Sequence, residues 1–160
     1  MKKLFFKFFD KTLIGLLAAF GFFLACEPVV EYGTPTADYE IKGTITDSVK
    51  SVAIQNIKVI VTLTKSYEMS DTTISRIDTL GSAMTDISGK YDIQFQEFPL
   101  DNNTFRIEAI DEDGDANGGD FKTGTKDVPF KLSDLEGKKS GWYDGKAVKT
   151  IDIMLQPKTK

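Results

Sequence analysis

The sequence predicts an all-β fold, an antiparallel β-sandwich that follows an N-terminal signal segment. Two observations predict the sandwich. Apolar residues recur at every second position in one segment after another, and Val, Ile, Tyr and Phe dominate them. That is the pattern of strands with one buried face. Gly, Asn and Asp separate the segments, and no stretch carries the apolar stripe of a helix.

The strands follow in order. Tyr39, Ile41, Gly43 and Ile45 alternate with Glu40, Lys42, Thr44 and Thr46. Ile57, Val59, Val61 and Leu63 alternate next, with Ile60 on the other face. Residues 75–84 form a further candidate strand, as do residues 122–132. Tyr91, Ile93 and Phe95 repeat the pattern, then Phe105, Ile107 and Ala109, and Ile151, Ile153 and Leu155 close the chain. Before Tyr91 stands Thr85-Asp86-Ile87-Ser88-Gly89-Lys90. Asp86 is placed to cap its own turn, and Gly89 to take a positive φ, so the chain reverses there. Ser133-Asp134-Leu135-Glu136 resembles a capping box and suits either one helical turn or a loop.

The N-terminus carries an address. Lys2, Lys3, Lys7 and Lys11 form a basic region, and residues 13–25 form an apolar one that runs into Ala25-Cys26. This is the layout of a signal peptide ending in a lipobox. A membrane-spanning helix needs roughly 20 apolar residues. Extending the run back to Leu4 would bury Lys7, Asp10 and Lys11, at about 2.5–3.5 kcal/mol each at a helix centre. Cys26 is the only cysteine, which excludes an internal disulfide and a multi-cysteine metal site. It is the expected lipidation site. Two or more acyl chains make a durable anchor where one does not. Phe23 and Leu24 depart from the strict lipobox, which favours Leu and a small residue there. The looser lipoboxes of Bacteroidetes tolerate both. The division is therefore a signal peptide over 1–25, a lipidated tether over 26–38 and a sandwich domain over 39–160. The expected location is the envelope of a Gram-negative bacterium, lipid-anchored in the outer membrane.

Charge and composition remove several function classes. The chain has 20 Lys+Arg and 24 Asp+Glu. Without residues 1–25, which hold four Lys and one Asp, 16 basic residues face 23 acidic ones, a net charge of −7. An acidic surface disfavours nucleic acid as a partner. The chain has no histidine, so the commonest general base, the Ser-His-Asp and Cys-His arrangements and the usual zinc ligand are all missing. No phosphate-binding glycine loop is present. No catalytic residue is assigned, and no cofactor is required.

Two places carry candidate site residues. In Asp113-Gly114-Asp115-Ala116-Asn117-Gly118 the side chains of Asp113, Asp115 and Asn117 hold the first, third and fifth positions of a calcium loop, with Gly118 at the sixth. The twelfth position is Gly124 rather than Glu; Asp120 or Asp111 is the expected source of further oxygen. The alternative is a solvated turn, since Asp, Asn and Gly tolerate the left-handed region. The second place is Gly141-Trp142-Tyr143-Asp144-Gly145, with the only tryptophan. Trp142 and Tyr143 suit stacking on a sugar or peptide; the same pair suits packing at the start of a strand.

Resemblances sharpen the fold and the setting. Gly43-Thr44-Ile45-Thr46-Asp47, with the segment 52–59 and the turn 85–91, resembles the carboxypeptidase regulatory-like domain over about residues 39–110. That resemblance implies a transthyretin-like Greek-key sandwich of about seven strands, and says little about activity. Residues 31–39, 111–121 and 141–146, added to the lipobox, resemble Bacteroidetes lipoproteins encoded beside a radical SAM enzyme. This implies a non-catalytic envelope lipoprotein of binding or structural type, with a radical SAM enzyme or another envelope protein as partner. The alternatives are an assembly subunit of a surface fibre or transporter, and a substrate that a radical SAM enzyme modifies. A second cysteine for a thioether crosslink is lacking.

Overall fold

The computed structural model describes residues 33–69, 72–137 and 141–159. The signal segment, Cys26 and the tether up to residue 32 lie outside the described residues. Among the described residues eight strands run in the order β1 (Thr36–Asp47), β2 (Ile57–Met69), β3 (Thr72–Met84), β4 (Lys90–Glu97), β5 (Asn103–Asp111), β6 (Gly124–Phe130), β7 (Tyr143–Thr150) and β8 (Ile153–Leu155). They form two four-stranded sheets. One has the order β4-β1-β7, with β8 also on β1; the other has the order β3-β2-β5-β6. The chain is the all-β sandwich that the alternation predicts.

Three differences from the sequence reading have local causes. The first strand begins at Thr36, inside the stretch read as tether, because Ala37 pairs with Glu97 and is fully buried. The closing strand is only β8, and a further strand that the alternation does not predict, β7, precedes it; both run parallel to β1 in a sandwich otherwise antiparallel. They divide at Ile151–Asp152. There the Ile151 N–H donates to the Lys42 carbonyl at 2.7 Å, and the Asp152 carboxylate accepts the Thr44 N–H at 2.9 Å. This crossing presses on Gly43, where a Cβ would lie 1.9 Å from the Ile151 carbonyl oxygen. Glycine is therefore required at that point in β1. Third, β2 and β3 run past the sandwich. β5 pairs with β2 only as far as Thr62, whereas β3 pairs with it to Met69.

The core lies between the sheets and follows the predicted alternation. Tyr39, Ile41 and Ile45 of β1 face Ile57, Val59 and Val61 of β2 and Phe105, Ile107 and Ala109 of β5. At one end Tyr39, Phe95, Phe105 and Phe130 form an aromatic cluster with centroids 4.9–5.6 Å apart. Most of these contacts are edge to face, the preferred arrangement. The turn at Asp86 forms as its sequence requires. The Asp86 carboxylate accepts the N–H groups of Ser88 and Lys90 at 2.8 and 2.9 Å, and Gly89 takes φ 70°. Leu132–Asp134 makes a single 3-10 turn, with the Lys131 N–H donating to the Asp134 carboxylate at 3.1 Å.

Candidate functional site

The acidic loop leaves the end of β5. Asp111, opposite Ile57 in the sheet, holds it shut. One carboxylate oxygen accepts the Gly114 N–H at 3.0 Å and the other accepts the Phe121 N–H at 2.8 Å. A 3-10 turn covers Gly114–Asn117 and ends at Gly118 with φ 99°. Asp113 stands at the start of that turn without a side-chain capping bond. Asp120 is engaged elsewhere: its carboxylate meets the Lys158 ammonium at 2.6 Å, which raises the lysine's proton affinity. Lys158 also donates its backbone N–H to the Asp120 carbonyl. Of the expected calcium ligands Asp113, Asp115, Asn117 and Asp120, the last already meets Lys158. Among the described residues no group of three or more acidic or cysteine side chains is placed to hold a metal ion. Asp111 and Asp120 both bind protein groups at this loop.

Trp142 and Tyr143 sit at the opposite end, where β1 and β7 begin. The Thr36 N–H donates to the Trp142 carbonyl at 2.8 Å. The Tyr143 hydroxyl donates to Asp38 at 2.9 Å, and Gln96 donates to the other oxygen of the same carboxylate at 2.8 Å. That acceptor holds the Tyr143 proton and raises its pKa. Tyr143 thereby sets the register between β7 and β1, and the Trp142 ring stays half exposed. The strand that follows, β7, lacks apolar alternation and was not legible. Its signal is the parallel pairing with β1.

The outer face of the β4-β1-β7 sheet carries a charged network that the sequence does not announce. Glu40 is buried under two lysine stems, with Lys146 at 2.6 Å and Lys42 at 2.7 Å. Hydrogen bonds from Lys146, then Lys42, hold its carboxyl below the usual glutamate range. A carboxylate lowered in this way stabilises the fold fully above the ordinary glutamate pKa. The contribution is lost as pH falls through the lowered value.

An open groove of about 510 Å³ lies beside this network, lined by Lys42, Thr44, Met84, Asp86, Lys90 and Tyr91 among others. Much of its polar lining is committed. Lys42 holds Glu40, and Asp86 holds its turn. The Tyr91 hydroxyl donates to the Ile151 carbonyl at 2.6 Å, and burial pushes its pKa well up. These bonds position strands.

No family model matches the chain. No curated protein matches it either. Solved structures show distant likenesses. The 5-hydroxyisourate hydrolase of Klebsiella pneumoniae is similar over 76% of this chain and 92% of its own, at 13% identity and a TM-score of 0.42. The C-terminal domain of a shaft pilin from Lactobacillus rhamnosus GG is similar over 76% of this chain and 98% of its own, at 12% identity and 0.39. The dioxygenase domain of a carbohydrate-binding fusion from Streptomyces sp. SirexAA-E covers 78% of this chain and 84% of its own, at 11% identity and 0.39. At such values the likenesses carry no argument about activity.

Proposed function

We propose that the chain is a cell-envelope lipoprotein, held to the outer membrane of a Gram-negative bacterium through Cys26, whose β-sandwich binds or builds rather than catalyses. The observation that carries this reading is the N-terminal layout: four lysines, a short apolar run and Ala25-Cys26. The first strand begins at Thr36, ten residues after Cys26. The association with a radical SAM enzyme, as partner or as modifying enzyme, rests on the resemblance of the flanking segments. The second reading, an assembly subunit, draws on one feature of the fold: β3 is a long edge strand on an arm that outruns its sheet.

The test is metabolic labelling with a palmitate analogue. The wild type is expected to label and to fractionate with membranes. Cys26→Ser is expected to lose the label and to accumulate as uncleaved precursor. Undiminished labelling and unchanged fractionation in Cys26→Ser would overturn the reading.

A further inference from the structure

Edge strands expose unpaired backbone groups, and proteins blunt them with charges, especially lysine, and with proline. Three of the edges here carry such devices. β4 has Lys90, Asp92 and Glu97; β6 has Lys126, Asp127 and Pro129; β7 has Asp144, Lys146 and Lys149. β3 does not. It is 13 residues long, has neither lysine nor proline, and carries only the charges Arg76 and Asp78. It closes the order β3-β2-β5-β6, so among the described residues no strand pairs with its outer edge. Along that edge Ile77 is 70% exposed and Ile74 is 50% exposed.

The two charges identify the occupant. We propose that β3 pairs antiparallel with β3 of a second copy, about a twofold axis through Ile77. In that register Arg76 stands opposite the copy's Asp78, and Asp78 opposite its Arg76. Residues directly opposite share one face of the sheet, so both pairs are within reach. Within one chain Arg76 already meets Asp78 at 2.5 Å, and the pairing joins two such dipoles with opposite charges adjacent. Ile77 meets its own copy on the other face, within the stretch of β3 that precedes its bulge at Leu80. Moving the axis to Arg76 or to Asp78 sets like charges against each other, which selects the register. The contact is isologous and closed, as a twofold dimer requires. Lys65 anchors the base of the arm, at 2.8 Å from Glu97 and 3.7 Å from Asp78.

The experiment uses the full chain, extracted from membranes in mild detergent and treated with a short bis-maleimide crosslinker. Ile77→Cys is expected to give a dimer band. The wild type is not, nor is Ile87→Cys, an even more exposed position on the turn before β4. In the Ile77→Cys background, Arg76→Asp alone and Asp78→Arg alone each oppose like charges across the axis. Each should cut crosslinking about tenfold, equivalent to ~1.4 kcal/mol. Co-expressed with different tags, the two variants face each other with opposite charges and should regain the band as mixed dimers. Crosslinking of Ile77→Cys no greater than that of Ile87→Cys would overturn the proposal. So would variants that crosslink fully alone, or a mixture that stays monomeric.

Discussion

Val59→Asp is expected to leave the sandwich unfolded at 25 °C. Val59 lies in β2, a strand with neighbours on both sides, pairing with Ala83 of β3 and Ala109 of β5. Its side chain is fully buried between the sheets, among residues that are themselves buried and apolar. A carboxylate there loses its water and gains no cation, at a cost of several kcal/mol. Protonation lessens the charge penalty but leaves a polar group unpaired. A domain of this size has about 5–15 kcal/mol in hand. Far-ultraviolet circular dichroism should show loss of the strand signal, and a melting temperature within a few degrees of the wild type would contradict the packing described here.

Phe105→Ala is expected to be the most damaging simple truncation. The Phe105 ring is fully buried and touches three others, with centroids 5.0 Å from Tyr39, 4.9 Å from Phe95 and 5.4 Å from Phe130. Those partners come from β1, β4 and β6, so the cavity would lie where both sheets meet. A Phe-to-Ala change in a core costs about 3–5 kcal/mol, which lowers the melting temperature by roughly 10–20 °C in a domain of this length. Phe105→Leu should recover most of that, because it restores volume. Equal losses in the two variants would mean that the aromatic cluster is not closely packed.

The contrast between these core positions and the candidate sites explains what the sequence could reveal. Ile57, Val59, Val61 and Leu63 were legible because burial repeats with the pleat and needs no knowledge of the partner strand. The Asp86 turn was legible for a related reason: its donors lie two and four residues along the chain. β7 was not, because Tyr143–Thr150 carries two lysines, an aspartate and a glycine and takes its place from parallel pairing with β1. The arm beyond Leu63 was missed too. Lys65 continues the alternation as a charged residue, and its partner Glu97 is 32 positions away. In the acidic loop the ligand spacing was visible, but the distant partner of Asp120 was not. Lys158, which takes Asp120, lies 38 residues on. Local spacing shows which oxygens are present, and only the fold shows what they already hold.

We propose lipidation at Cys26 for a chain whose described residues fold as a β-sandwich. The most direct measurement is the intact mass of the protein purified from its native membranes. The reading predicts a chain that starts at Cys26 and carries the added mass of a diacylglycerol thioether and an N-acyl group. A further unexplained mass would favour modification by a radical SAM enzyme in addition. An unlipidated chain that still begins at Met1 would contradict the account.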